Sequence, residues 1–167
     1  MDRPSVFKNS IFVIMIQRIQ SIYLFLASLA LFLLFVFPLA NIFDVTGAKR
    51  IKITGIYEIA ENGLIQKESF ILLTIVTVIL AIIPLVLIFL YKNRKRQMML
   101  IYATVVLVLL YSYWLSTILK NSTALTLQIS DYGIGIGLSS IAVLFLILAV
   151  RGIRSDERLI KSADRLR

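Results

Sequence analysis

Four stretches of this chain, each roughly 17 to 22 residues long, pass without a charged side chain, and this restricts the fold more than any motif does. A soluble domain disperses its apolar residues so that each helix or strand keeps a polar face. Here they are clumped: 59% of the chain is hydrophobic, and mean hydropathy is +0.92. At ~1.5 Å rise per residue, about 20 apolar residues cover the ~30 Å hydrocarbon core of a bilayer. The pattern predicts an all-α membrane protein: a four-transmembrane-helix bundle with a small extracytoplasmic β-hairpin loop and a C-terminal cytoplasmic amphipathic helix.

The expected spans are residues 19–40, 70–91, 98–119 and 134–153, forming one transmembrane domain over 19–153. An N-terminal segment (1–18) precedes it, and a tail (154–167) follows. Pro38 marks the exit of the first span, whose length and flanks disfavour a cleaved signal peptide. Pro84 lies inside the second and predicts a kink near Ala81–Pro84, because proline removes a donor and crowds the preceding turn. Tyr111, Tyr113 and Trp114 suit a membrane–water interface. The fourth span opens with Gly133, Gly135, Gly137, Ser139 and Ser140, small residues that let helices approach closely. Gly133 and Gly137 form a small-xxx-small pair that predicts packing within the bundle, with a homodimer seam as the alternative.

Orientation follows from the flanks. Thirteen of the eighteen lysines and arginines fall on one side: Arg3, Lys8 and Arg18; Lys92, Arg94, Lys95 and Arg96 between spans two and three; and Arg151, Arg154, Arg158, Lys161, Arg165 and Arg167. Basic residues collect on the cytoplasmic side, so both termini are expected there, with Arg18, Arg94, Lys95, Arg96, Arg158, Lys161 and Arg165 as interface anchors. The outer loop, 41–69, carries β-favouring isoleucines and an Asn62-Gly63 turn signal, which predict one or two short hairpins over the bundle mouth. In the tail, Ser155 is the expected N-cap of a short helix lying on the inner leaflet; continuation of the fourth helix is the alternative.

The chain has no cysteine and no histidine, so it lacks thiolate chemistry, the commonest metal ligand and the usual near-neutral base. A net charge of +9 would suggest nucleic acid in a soluble protein, but beside membrane spans it suits anionic lipid. The polar side chains inside the spans are hydroxyls, expected to bond to backbone or to a neighbouring helix. Asp156 and Glu157 are adjacent and point in different helical directions. GIGIG precedes no P-loop lysine. No enzyme, cofactor, metal or nucleic acid is therefore expected; the expected partner is the lipid bilayer, together with another membrane protein or a second copy.

Both ends of the chain carry more specific sequence. MIQRIQSIYLFLA, from Met15, and IRSDERLIKSADRLR, at the C-terminus, resemble the ends of an uncharacterised four-span family from Bacteroidota, domain of unknown function 4293. The resemblance covers Met15 to Arg167 and implies an inner-membrane location without an assigned activity or catalytic residues. Residues 1–14 precede the matching start, which makes Met15 a candidate translation start. The functional expectation is a non-enzymatic accessory or scaffold subunit; the alternative is a small transporter or lipid-handling protein.

Overall fold

Pro38 shapes the chain further upstream than the sequence suggests. In the computed structural model, helix α1 (Ser5–Leu33) stops five residues before it. Leu34, Phe35 and Val36 donate to Leu31, Phe32 and Leu33, i→i−3 bonds that tighten the final turn. Proline pushes its predecessor toward extended backbone, and strand β1 (Ala40–Asp44) follows at once. The expectation of a helix over 19–40 is therefore corrected at its end. The structure describes the backbone of residues 5–44, 47–60, 63–91, 93–122 and 131–164, and the side chains of 19–42, 47–59, 63–91, 93–121 and 131–158.

β1 begins an antiparallel meander with β2 (Gly47–Lys52), β3 (Gly55–Ala60) and β4 (Gly63–Ser69), in the order β1-β2-β3-β4. The sheet is larger than the hairpin expected. Ile51 and Ile53 are fully buried beside Leu39 and Ala40, so the β2–β3 turn plugs the helix ends, whereas β4 is exposed along its length. Asn62 lies outside the described residues; the Ala60↔Gly63 pair sets the β3–β4 register.

Three further helices complete the chain: α2 (Ile71–Phe89), α3 (Arg94–Ser122) and α4 (Ile134–Asp164). α1 packs against α2 and α4, α2 against α3, and α3 against α4. Cross-contacts show that neighbours run antiparallel. Ser28 of α1 donates to Ala81 O of α2, and Gln97 of α3 donates to Leu87 O of α2. Gln20, midway along α1, meets Asp156 in the second half of α4, while Pro38, after α1, meets Gly135 at the start of α4. One end of the helices therefore carries the sheet, and the other carries the arginines. α4 runs through Ser155 without a break, so the expected capped tail helix is corrected to a continuation of α4.

The core is a layer of aliphatic side chains. Leu24, Leu31, Ile101, Val108 and Leu146 are fully buried between the helices. The outward faces are also apolar: Ile71, Ile79 and Phe89 of α2 are 67%, 55% and 77% exposed. Helices apolar on all sides need a nonaqueous surrounding. Ile71–Phe89, Arg94–Asn121 and Gly135–Arg158 are long and apolar enough to cross a membrane; the apolar part of α1, Ile19–Leu33, is shorter.

Candidate functional site

The arginine-rich end holds the buried amide and carboxylate side chains, Gln20, Gln97 and Asp156. Asp156 is only 6% exposed and accepts a hydrogen bond from the Gln20 amide, itself 8% exposed. Arg94, at the start of α3, lies within electrostatic reach of Asp156, and its Nη1 is buried without a hydrogen-bond partner among the described residues. A buried carboxylate costs several kcal/mol unless it is paired, so Gln20 and Arg94 are what make Asp156 tolerable. Gln97 completes this layer by donating to Leu87 O at 2.9 Å, a carbonyl in the last turn of α2.

A cavity of about 680 Å³ opens beside this layer, between α1 and α4. Ile19, Gln20 and Tyr23 line it from α1; Leu148, Arg151, Gly152, Arg154, Ser155, Asp156 and Arg158 line it from α4. Arg154 also lies over the Tyr102 ring of α3, 5.4 Å from its centroid. Gly152 lets α1 come close here, since a Cβ would sit 3.2 Å from Gln20 Cγ.

Between the ends, the hydroxyls are occupied structurally. Thr74, Thr77, Thr104 and Ser112 donate to the carbonyl four residues back. Thr77 spends its proton on Leu73 O at 2.7 Å, so Tyr111 donates to Thr77 across the α2–α3 contact, also at 2.7 Å. Ser28 reaches Ala81 O at 2.6 Å, in the turn that Pro84 disrupts. Pro84 is buried within α2, which continues to Phe89. Among the described residues, none of these hydroxyls bonds to a general base.

At the opposite end, α4 begins against the chain leaving α1. Gly133 N donates to Leu39 O and Gly135 N to Pro38 O, at 2.8 and 3.1 Å. Added Cβ atoms would clash with Pro38 O at Gly133 and come within 2.7 Å of it at Gly135, while Gly137 faces open space. The close approach is therefore made to the α1–β1 link by Gly133 and Gly135. Ser139 bonds back to Ile136 O, and Ser140 is exposed. Leu39 N→Ile51 O and Phe70 N→Thr54 O fasten the sheet to the same end.

The interfacial residues separate in space. Tyr113 is 76% exposed and Trp114 is half-buried, but Tyr111 is 3% exposed; its expected interfacial role is corrected, because its hydroxyl bonds to Thr77 inside the helix packing. Lys95, Arg96 and Arg158 are exposed, and Arg94 is partly buried. The side chains of Arg18 and Lys161, and all of Arg165, lie outside the described residues. The Gln20–Asp156 pair was missed because 136 positions separate its members. One signal was available: Asp156 continues the buried series Ala142, Leu146, Ala149, Ile153 at alternating spacings of four and three.

Among the described residues, no three aspartates or glutamates converge to hold a metal ion. A comparison with curated proteins finds no match. The family comparison matches residues 16–166, nearly the whole chain. This chain belongs to the family described as domain of unknown function (DUF4293).

Proposed function

We propose that the protein is a four-pass inner-membrane protein of bacterial type, with both termini cytoplasmic, and that it acts as a non-enzymatic accessory or scaffold subunit. The filled centre between its helices carries this reading. Leu24, Leu31, Thr77, Ile101, Val108 and Leu146 are buried there, and the polar groups among them bond to backbone or to one another. What the molecule can offer a partner then lies at its ends: the exposed strand β4 and the arginine-rich face. The alternative is a small transporter or lipid-handling protein; the aliphatic side chains buried between the helices count against a transport passage.

The fourth crossing is assigned to α1. Lys8 and Arg18 lie in its first half, so the crossing rests on Ile19–Leu33, about 22 Å at ~1.5 Å per residue against a ~30 Å hydrocarbon core. The apolar part alone is short, but Leu34 to Phe37 extend it toward the sheet. The test is affinity purification of the tagged full chain in mild detergent. The expected result is one membrane protein recovered in constant stoichiometry. Recovery of the monomer alone, across several detergents, would overturn the accessory role.

A further inference from the structure

We propose that the cavity between α1 and α4 binds the phosphate of an anionic membrane lipid. Its lining changes in character along the helices. Arg151, Arg154 and Arg158 lie toward the arginine-rich end of α4, whereas Leu148 and Tyr23 lie deeper. Ten residues separate Leu148 from Arg158, about 15 Å of helix, enough to cover a headgroup and the first part of an acyl chain.

Charge points to an anion. Three arginines, Arg151, Arg154 and Arg158, line the cavity, with one carboxylate residue, Asp156. Asp156 is engaged by Gln20 and lies near Arg94, so its charge is partly answered within the helix packing. Arg154 is steadied by the Tyr102 ring. Guanidinium groups form paired hydrogen bonds with phosphate oxygens, and Ser155 adds a hydroxyl to the same lining.

Position points to a lipid as the source of the phosphate. Ile19 and Leu148, which line the cavity, are 48% and 39% exposed. A soluble phosphate would leave both uncovered, while the glycerol and acyl carbons of a lipid would cover them. This end of the helices is also the one assigned to the anionic cytoplasmic leaflet.

The test measures retention of single lipids by the full chain in detergent, using native mass spectrometry, so that no bilayer surface contributes general attraction. The probes are phosphatidylglycerol, phosphatidylcholine and inorganic phosphate. The protein is expected to retain one phosphatidylglycerol at least about tenfold more tightly than phosphatidylcholine. Arg151→Gln and Arg158→Gln should each weaken retention roughly fivefold, the attraction typical of one basic side chain near an anionic surface. Ser155→Trp, which fills the cavity and leaves every charge in place, should lower retention similarly. Lys95→Gln and Arg96→Gln, at the same end but outside the cavity, should leave it unchanged. Equal retention of both lipids, or equal losses in the Lys95 and Arg96 variants, would overturn the site. Displacement of the lipid by low-millimolar inorganic phosphate would overturn its assignment to a lipid.

Discussion

Gly135→Ala and Gly137→Ala make the same chemical change two residues apart on α4, and they should move stability in opposite directions. At Gly135 the new methyl would lie 2.7 Å from Pro38 O and 3.1 Å from Phe37 O. Ordinary carbon–oxygen contacts begin near 3.3 Å, so α4 must retreat by about half an ångström. The retreat stretches the Gly135 N→Pro38 O bond, already 3.1 Å, and strains the neighbouring Gly133 N→Leu39 O bond. Overpacking costs about 1–3 kcal/mol, and a weakened hydrogen bond costs up to about 1. The better helix propensity of alanine returns about 0.5–1 kcal/mol, leaving a net loss near 2. At Gly137 no atom lies within 4 Å of the added carbon, so only the propensity gain remains. The two variants should differ by about 3 kcal/mol in reversible unfolding in mixed micelles followed by circular dichroism. Equal effects would refute the reasoning. So would a larger loss at Gly137, which would instead place the helix contact on the Gly133–Gly137 pair.

Thr77→Val strands the buried Tyr111 hydroxyl and should cost about 1–3 kcal/mol; Tyr111→Phe leaves Thr77 bonded to Leu73 O and should cost about 1. The double variant should lie closer to wild type than the sum of the two, and strict additivity in the same unfolding assay would contradict the pairing. Gln20→Leu removes the amide that Asp156 accepts from and should destabilise by about 1–3 kcal/mol, with Asp156→Asn in the same background recovering part of the loss. Lys67→Ala breaks the exposed 3.2 Å pair with Glu58 and should change stability by less than about 1 kcal/mol; a larger loss would give β4 a structural role that its exposure denies it.

The helices were legible because clumped apolar residues leave few other solutions, but their ends were set by interactions outside each run. Pro38 stopped α1 early through turn geometry and through the pull of a sheet whose four strands the sequence suggested only as hairpins. α4 outran its apolar segment because Ile153 and Asp156 keep the buried spacing past Arg151. Tyr111 and Tyr113 show why composition alone misplaces aromatic residues: two positions apart, they turn to opposite sides of α3, and only Tyr113 is exposed. The polar layer of Gln20, Arg94 and Asp156 was illegible because its members come from three helices. Each alone reads as an ordinary residue in the flank of a span.

A crossing by α1, making four in all, can be read from the sides on which the N-terminus and the sheet lie. Because the chain has no native cysteine, Lys67→Cys on β4 is a unique reporter of the sheet side. It should be combined with a protease-cleavable tag fused to the N-terminus, and measured in right-side-out and inside-out vesicles. A membrane-impermeant maleimide is expected to label position 67 in right-side-out vesicles while the tag resists external protease, with the pattern reversed in inside-out vesicles. Labelling of position 67 and cleavage of the tag from the same side would contradict the crossing, leaving α1 on the surface and only three helices in the bilayer.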